Sequence, residues 1–382
     1  MRALFIGSYP NPVEPHRSVF FRELIYQMAK QGVECTVITP VSLTKYKTAT
    51  KNIPLHTYEK ICADITVEVY RPRMISFSAK KIGSWNTIRL TLAAFDAAVM
   101  RQLGKIGKKF DFVYGHFFLS GGLTAAKVGE KYRIPAYIAY GECSFESEVS
   151  NHYGEIKPEE MRGVHGIIAV SSANLNDLKS RAFSEGIPTL LSLNAVDKQI
   201  FVPKDKAECR KKFALPEDAF IVGFVGYFIE RKGHNRVLEA CAELEGVRLA
   251  FAGKGEISPS GQNVVFCKSL EHEAIADFLN AVDVFVLPTL HEGCCNAVIE
   301  AMSCGKAIIS SDLPFNHDVL NSDNAILVDP NEIGQIREAI RTLRDDPQLR
   351  NRLAEQALRD AQKLAIDQRA KNILEFIQQT SE

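Results

Sequence analysis

The chain has 382 residues, of which 46% are hydrophobic and 24% charged, and its 46 Lys and Arg balance its 46 Asp and Glu. This composition is ordinary for a globular protein, so the disordered and fibrous classes are excluded, and the length predicts two domains. No apolar run approaches the roughly 18 residues that a membrane span needs. A neutral net charge without a recognition motif weighs against nucleic-acid binding.

Short apolar strands alternate with amphipathic helices over the first half of the chain, which is typical of parallel α/β layers. The first seven residues lack the long apolar region of a signal peptide and are interpreted as a strand. The predicted strands cover residues 2–7, 34–39, 65–70, 112–114, 136–139, 166–170 and 189–193. The predicted helices cover residues 20–31 and 86–103.

A second series of the same kind starts at residue 219, after a polar stretch at 198–216. Its predicted strands cover residues 220–225, 248–252, 264–266, 282–287 and 307–310, and its predicted helices cover 236–245, 272–279, 296–303 and charged segments from 331 to about 377. Two such series predict two Rossmann-like domains in tandem. The expected domains are residues 1–195 and 196–365, with a last helix at 366–382 packing back on the first domain.

The nine cysteines are scattered and form no Cys-x-x-Cys pair. This spacing fits neither a disulfide framework nor a zinc site. Reduced thiols are typical of a reducing compartment, so a cytoplasmic protein is expected.

The basic residues are concentrated in the first part of the chain. Residues 1–130 hold 18 Lys and Arg against 9 Asp and Glu, and a dense group between Lys45 and Lys81 is accompanied by Phe77 and Trp85. A solvated basic face explains this pattern equally well. The alternative hypothesis is peripheral contact with an anionic membrane at its inner face, because basic and aromatic residues together suit that interface.

Ligands of open α/β sheets bind at the carboxyl ends of strands, so the loops that follow strands are the places to search. The loop after the apolar strand at 221–225 begins with Gly226 and ends with Lys232-Gly233. Glycines let a backbone approach a phosphate, and a lysine supplies positive charge. A Lys-Gly pair is also common in ordinary loops.

A second loop follows the strand at 282–287 and carries Glu292-Gly293 before a predicted helix that begins near Asn296. Free amides and the helix dipole favour an anion there. Glu300, early in that helix, would repel a phosphate but suits a pair of ribose hydroxyls. Spacing alone favours the simpler interpretation that Glu292 is an exposed loop acid and Glu300 an acid on the helix surface.

The two loops together resemble the retaining glycosyltransferases of GT-B fold, the large group 1 family with exopolysaccharide and teichuronic-acid-type members. The family pattern E-G-…-N-…-L-E-A-M-A-x-G-x-P is similar to E-G-C-C-N-A-V-I-E-A-M-S-C-G-K-A from Glu292 to Ala307. Further similar segments are Lys232-Gly233, A-G-K-G at 252–255, A-V-D-V-F-V-L-P at 281–288, L-V-D-P at 327–330, N-A-V-D at 194–197 with Phe201 and Pro203, and S-Y-P-N-P at 8–12.

The resemblance implies an α/β GT-B fold, with two Rossmann-like domains facing each other across a cleft. It implies that Glu300 binds the donor ribose, that Lys232 binds the donor diphosphate, and that Glu292 lies near the transferred sugar. The full donor-binding set is Gly226, Arg231, Lys232, Gly293, Cys294, Cys295, Asn296 and Glu300. No Asp-x-Asp motif is present, so no metal and no cofactor is expected beside the UDP- or GDP-sugar.

The chain departs from the family pattern at three loops, one of which, after the first strand, has Arg17-Ser18-Val19 where a glycine is common. The family commonly has Arg after the first glycine of the Gly226 loop, where this chain has Tyr227, and Arg231 is the candidate substitute. The family often has His-Gly after the strand near residue 139, where this chain has Tyr140-Gly141-Glu142. Tyr140 and Glu142 are therefore candidate catalytic residues.

His116 completes the candidate catalytic set with Glu292, Tyr140 and Glu142. It follows the strand at 112–114, at a place where several family members carry a histidine facing the cleft. A histidine at a strand end is also often structural.

The predicted function is transfer of a hexose-type sugar, with retention of anomeric configuration, to a polysaccharide or lipid-linked oligosaccharide. Two alternatives remain open: a catalytically silent sugar-nucleotide-binding protein, and a sugar-nucleotide 2-epimerase of the same fold. A nicotinamide dehydrogenase is disfavoured because no G-x-G-x-x-G follows the first strand.

Overall fold

A computed structural model describes residues 1–83 and 85–381 and divides the chain into two compact units. Unit 1 comprises Met1–Leu193 together with Asp367–Glu382, and unit 2 comprises Asn194–Ile366. The two ends of the chain therefore belong to the same unit. Within the described residues, no helix has both the length and the apolar character that a membrane crossing requires.

Unit 1 is built on an eight-stranded sheet. The strands of this unit are β1 (Arg2–Ile6), β2 (Glu34–Ile38), β3 (Val41–Ser42), β4 (His56–Cys62), β5 (Ile65–Tyr70), β6 (Arg73–Met74), β7 (Lys81–Ile82), β8 (Trp85–Asn86), β9 (Phe112–His116), β10 (Ala136–Tyr140), β11 (Val164–Ala169) and β12 (Thr189–Leu191). The main sheet has the order β12-β11-β10-β9-β1-β2-β5-β4, and all its pairs are parallel except β4 with β5. Two short ribbons, β3 with β6 and β7 with β8, lie outside it.

The helices of unit 1 cover the faces of this sheet. They are α1 (Val19–Lys30), α2 (Leu43–Tyr46), α3 (Ile88–Ile106), α4 (Leu123–Tyr132), α5 (Asn151–Tyr153) and α6 (Ser172–Lys179), with π-helical turns at Phe117–Gly122 and Glu146–Ser150 and 3-10 turns at Lys47–Asn52, Pro158–Met161 and Ala182–Ser184. Phe21, Leu24, Ile25 and Met28 recur at helical spacing and form one buried face of α1. That face packs in the same hydrophobic cluster as Phe5 of β1.

Unit 2 contains a six-stranded, wholly parallel sheet. Its strands are β13 (Phe220–Val225), β14 (Val247–Ala252), β15 (Val264–Lys268), β16 (Val284–Leu287), β17 (Ala307–Ser311) and β18 (Ile326–Val328). Their order is β15-β14-β13-β16-β17-β18. The chain thus extends the sheet in one direction from β13 and then returns to extend it in the other. This reversal is the Rossmann topology, and it makes the gap between β13 and β16 the expected ligand position.

The helices of unit 2 are α7 (Lys206–Lys212), α8 (His234–Ala240), α9 (His272–Ala281), α10 (Asn296–Ser303), α11 (Ile333–Asp345) and α12 (Pro347–Ala361), with a 3-10 turn at Glu230–Lys232. Helix α10 buries Val298, Ile299, Ala301 and Met302, so its apolar residues fix how it lies on the sheet. The first turn of α10 stands directly after the loop that follows β16.

The last helix, α13 (Ile366–Thr380), packs into unit 1. The Tyr137 hydroxyl donates a hydrogen bond to the carbonyl of Ile377 at 3.0 Å. The ring of Phe376 lies 6.0 Å from that of Tyr137 and fills the space above Gly166, where an added Cβ would come within 2.6 Å of it.

Each predicted strand is present in the structure, with ends shifted by a residue or two. The helix predicted at 236–245 was wrong in its extent, because α8 spans only His234–Ala240 and Gly246, at φ 74°, lies in the turn that follows. Strand β4 was not predicted, because its exposure alternates between exposed and half-buried residues and its sequence has few apolar positions. Helix α4 was also not predicted.

Replacing Phe376 with Ala should destabilise unit 1 by about 3 kcal/mol, because the cavity above Gly166 cannot be filled by its neighbours. Urea unfolding followed by the fluorescence of the single tryptophan, which belongs to unit 1, measures this change. Gln378→Ala, an exposed position on the same helix, is the control. Equal stability of the two variants would contradict the packing of α13.

Candidate functional site

The candidate site of unit 2 is assembled from the loops that follow β13 and β16, the neighbouring strands at the reversal of strand order. Gly226 begins the first loop, and the second loop runs from Pro288 to Cys295. Because both strands are parallel, the two loops leave the sheet at the same edge. Topology alone therefore brings the two sequence motifs together.

The Gly226 loop also lies close to the loop after β14. The amide of Phe228 donates to the carbonyl of Lys254 at 2.8 Å, and that of Gly226 donates to Ala252 at 3.0 Å. A Cβ at Gly253 would come within 1.9 Å of the carbonyl oxygen of Gly226. Glycine is thus required at position 253 by close backbone approach.

The end of the first loop is tied to the start of the second. The amide of Leu290 donates to the carbonyl of Arg231 at 2.9 Å. Gly233 has φ 82°, and a Cβ there would lie 2.6 Å from the carbonyl of Pro288. A guanidinium nitrogen of Arg236 also donates to Pro288 at 2.9 Å. Lys232 is therefore held in a fixed place beside the second loop.

The carboxylate of Glu292 is the centre of the site. Its Oε1 atom accepts from Lys232 Nζ at 2.6 Å, from Arg231 at 2.9 Å and from the Thr289 hydroxyl at 2.8 Å. Arg231 also donates to the carbonyl of His291. Arg231, the predicted substitute for the missing family arginine, thus pairs with the same carboxylate as Lys232. Tyr227, which stands at the position of that arginine, is 52% exposed.

The charge of Lys232 is stabilised in this setting. Burial by itself would lower the pKa of its ammonium group, but attraction to Glu292 outweighs that effect, and the pKa of Lys232 is raised. The side chains of Lys232 and Glu292 are only 14% and 10% exposed. Lys232 and Arg231 carry two positive charges against the one negative charge of Glu292. The resulting excess of positive charge favours binding of an additional anion.

Helix α10 begins beside this cluster. Gly293, Cys294 and Cys295 are buried and lead into Asn296, the first residue of the helix. The first amides of α10 have no acceptor within the helix itself, as at any helix start, so this end of the helix favours an anion. Burial raises the pKa of Cys295 to about 12, which keeps this thiol protonated at neutral pH. Glu300 lies in the second turn of α10 and is 7% exposed.

Several supporting residues were missed by the sequence analysis. Thr289 is fully buried and bonds Glu292, and the hydroxyl of Ser311 donates to the carbonyl of Thr289 at 2.5 Å. His272 donates to Glu300 at 3.2 Å. Ser311 and His272 come from other elements, so no local spacing marks them, and Thr289 lies in the same loop as Glu292 but belongs to no motif that the sequence analysis used. Among the described residues, no group of three or more His, Cys, Asp or Glu could hold a metal ion.

His116 ends β9, which pairs with β1 at the reversal of strand order in unit 1. Its ring stacks on Phe21 at 4.2 Å and is 5% exposed. Neither ring nitrogen has a hydrogen-bond partner among the described residues. Burial, with a smaller contribution from Arg369, lowers the pKa of His116 to about 3. A neutral imidazole of this kind can share a hydrogen bond with a hydroxyl but is a weak base.

Glu142 follows β10, the strand that pairs with β9 in the sheet. Its carboxylate accepts from the amides of Phe118 at 2.5 Å and Gly141 at 3.2 Å, so it holds together the segments that follow β9 and β10. The Asn174 side chain donates to the Glu142 carbonyl at 3.0 Å. Burial raises the pKa of the Glu142 carboxyl to about 7, although the amide hydrogen bonds act in the opposite direction.

The catalytic role predicted for Tyr140 is not supported by its surroundings. Tyr140 is 1% exposed and packs against Phe118 and Phe145. Its hydroxyl donates to Asp177 at 2.8 Å. Ring and hydroxyl are both engaged inside the unit, which is the environment of a packing residue, and the catalytic role of Tyr140 stays a prediction.

The basic region of unit 1 is partly internal. Arg71 is 2% exposed and pairs with Glu59 at 3.0 Å, so it contributes nothing to a surface. Lys45 pairs with Glu14 at 2.7 Å. The side chain of Trp85 lies outside what the structure describes. The predicted basic face is therefore smaller than the sequence count indicates.

Comparison with known proteins places these residues in a family context. The family model for glycosyl transferases group 1 matches residues 205–360, which include every donor-site residue described above. The putative teichuronic acid biosynthesis glycosyltransferase TuaC of Bacillus subtilis is 26% identical over 360 residues, covering 89% of this chain and 88% of that protein.

Solved structures share the fold over nearly the whole chain. Sucrose-phosphate synthase from Thermosynechococcus elongatus has a TM-score of 0.76 at 19% identity, covering 99% of this chain and 98% of the other. HepE from Anabaena, in complex with UDP-glucose, has a TM-score of 0.70 at 16% identity, covering 99% and 100%. The fold is GT-B, with two Rossmann-like domains, as the sequence predicted.

The pKa of Glu142 generates a prediction for stability. Its folded value near 7 exceeds the ordinary 4.5, so folding favours the protonated acid. This contribution is fully present below pH 4.5 and is lost as the pH rises through 7. Glu142→Gln should therefore gain stability relative to the parent chain, by on the order of 2 kcal/mol between pH 4.5 and pH 8.

Urea unfolding at a series of pH values measures this difference. Glu130→Gln, an exposed acid on α4, serves as the control and should show no such trend. A constant difference between Glu142→Gln and the parent chain over that pH range would contradict the assignment.

Proposed function

We propose that the chain is a group 1 glycosyltransferase that transfers a hexose-type sugar from a UDP- or GDP-sugar to a glycan acceptor with retention of anomeric configuration. The observation that carries the proposal is the pair of cations, Lys232 and Arg231, converging on Glu292 beside the N-terminus of α10. No metal ion and no cofactor beside the donor is required.

The donor is proposed to lie at the reversal of strand order in unit 2. Its diphosphate would meet Lys232, Arg231, the Gly226 backbone and the amides from Gly293 to Asn296. These groups are pre-positioned, and anions bind well where helix amides and fixed cations converge. The ribose would meet Glu300, whose carboxylate is shielded from water and can accept from two hydroxyls. A UDP-sugar is favoured by the UDP-glucose present in the related HepE structure.

The same groups would assist the chemistry. In the reaction the bond between the anomeric carbon and the diphosphate oxygen breaks, and its electron pair remains on the diphosphate. The acceptor oxygen attacks the anomeric carbon from the same face, and the acceptor proton passes to the departing diphosphate oxygen. Fixed positive charge and amide dipoles stabilise the negative charge that develops on that oxygen.

Glu292 is proposed to contact the sugar, and His116 is a candidate catalytic residue of unit 1. When a diphosphate binds, it competes with Glu292 for Lys232 and Arg231, so Glu292 gains freedom to accept from a sugar hydroxyl. His116 ends the corresponding strand of unit 1 with both ring nitrogens unpartnered among the described residues. A neutral imidazole suits a hydroxyl. Glu142 would act by holding the segment after His116.

The acceptor is proposed to be a growing polysaccharide or a lipid-linked oligosaccharide at the inner face of the membrane, reached by a cytoplasmic protein in peripheral contact with anionic lipid. The role of TuaC in teichuronic acid biosynthesis supports a cell-surface glycan. The exposed part of the basic region would supply the lipid contact.

A silent sugar-nucleotide-binding protein is the second candidate, favoured by Tyr227 in place of the family arginine. It predicts binding of UDP without hydrolysis or transfer. Slow release of UDP from UDP-glucose by the purified chain, with no acceptor added, would exclude it.

Replacing Lys232 with Ala should weaken binding of UDP or GDP at least about tenfold, since one charge-assisted hydrogen bond is lost and Glu292 loses its main counterion. Isothermal titration calorimetry measures the affinity. Lys211→Ala is the control, because Lys211 lies on the surface of unit 2 with Glu208 as its partner. Unchanged affinity in Lys232→Ala would refute the donor site.

A further inference from the structure

Glu300 is held in place by a side chain from a neighbouring helix. It lies in the middle of α10, and His272 is the first residue of α9. His272 Nε2 stands 3.2 Å from Glu300 Oε1. Because an ionised carboxylate only accepts hydrogen bonds, Nε2 carries the hydrogen and donates it. The two side chains are 18% and 10% exposed, so water competes weakly for this bond.

His272 is in turn fixed by the segment that opens unit 2. The ring of Phe201, which is 1% exposed, lies 5.3 Å from the imidazole at an angle of 62°. Asn280, at the other end of α9, donates to the carbonyl of Val202 at 2.9 Å and accepts from the amide of Lys204 at the same distance. The segment around Phe201 is thereby docked along α9, and the imidazole has little room to turn.

We propose that His272 is a positioning residue for the ribose of the donor. It acts through Glu300: by engaging Oε1, it turns the carboxylate so that the remaining acceptor positions point to the two ribose hydroxyls. This inference rests on the proposed function, in which Glu300 binds the ribose. Nothing in the sequence motif identifies His272, since it precedes Glu300 by 28 residues.

The physical reason is preorganisation. A glutamate has three side-chain torsions, and ordering them during binding costs affinity. A hydrogen bond that already fixes the carboxylate removes most of that cost from the binding step. The same logic applies to metal ligands, whose orientation is set by the residue behind them. His272 is therefore expected to affect only ligands that carry the hydroxyls that Glu300 accepts from.

This restriction separates positioning from a general structural role. If His272 merely stabilised the packing of α9 on α10, its removal would disturb the whole donor site, including the diphosphate contacts of Lys232. If it positions Glu300, its removal should weaken binding of UDP but leave binding of 2′,3′-dideoxy-UDP, which has no ribose hydroxyls, as it is in the parent chain.

The experiment is calorimetric titration of both nucleotides into the full chain and its variants. His272→Ala should bind UDP about tenfold more weakly and 2′,3′-dideoxy-UDP with unchanged affinity. His272→Gln, whose amide can still donate to Glu300, should recover most of the loss. The double variant of His272→Ala with Glu300→Ala should bind UDP no more weakly than Glu300→Ala alone.

His317→Ala is the matched control, because His317 forms an exposed histidine–carboxylate pair with Asp312 at 2.8 Å in the same unit. It should bind both nucleotides as the parent chain does. Circular dichroism spectra and thermal melting of each variant show that it is folded.

Two results would overturn the inference while leaving the donor site intact: unchanged UDP affinity in His272→Ala, or equal losses for UDP and 2′,3′-dideoxy-UDP. Failure of the proposed function looks different. If the parent chain binds both nucleotides with equal affinity, or Glu300→Ala does not change the affinity for UDP, then Glu300 is not the ribose ligand. In that case the proposed role of His272 is also wrong.

Discussion

The carboxylate of Glu292, with Lys232, Arg231 and Thr289 around one of its oxygens, is the interaction on which the donor site depends. It joins the loop after β13 to the loop after β16 and holds two cations side by side. Without an opposite charge, two such cations would repel each other and turn toward water. The carboxylate therefore keeps both cations close together, at a place where they can bind a diphosphate.

That arrangement requires backbone geometry that only certain residues allow. Glycine at position 233 admits both a positive φ and the close carbonyl of Pro288, and glycine at 253 admits the carbonyl of Gly226. The buried hydroxyls of Ser310 and Ser311 donate to the carbonyls of Leu287 and Thr289 and so secure the start of the loop after β16. The amide of Asn316 in turn donates to the carbonyl of Ser311. Rigid loops at the end of a parallel sheet give fixed positions for charge, which is what stabilisation of a leaving group needs.

The sequence was informative where function depends on local pattern. Apolar strands, the Lys232-Gly233 pair and the Glu292–Glu300 spacing all come from short segments, and the structure brings them to one edge of one sheet. It did not indicate the packing of Tyr140, whose hydroxyl donates to Asp177, because a residue at a strand end can point into the core as readily as into a cleft. His272 and Ser311 act across elements, so their positions follow from packing that no spacing encodes. Arg71 appeared to be surface charge because the partner that buries it, Glu59, lies on another strand.

The central claim is that the donor diphosphate replaces Glu292 as the partner of Lys232 and Arg231. A crystal structure of the chain with bound UDP tests it most directly. The account predicts phosphate oxygens within hydrogen-bond distance, about 3 Å, of Lys232 Nζ and of the first amides of α10, with the ribose hydroxyls on Glu300. UDP bound away from these groups, or bound with Lys232 and Arg231 still paired only to Glu292, would contradict it.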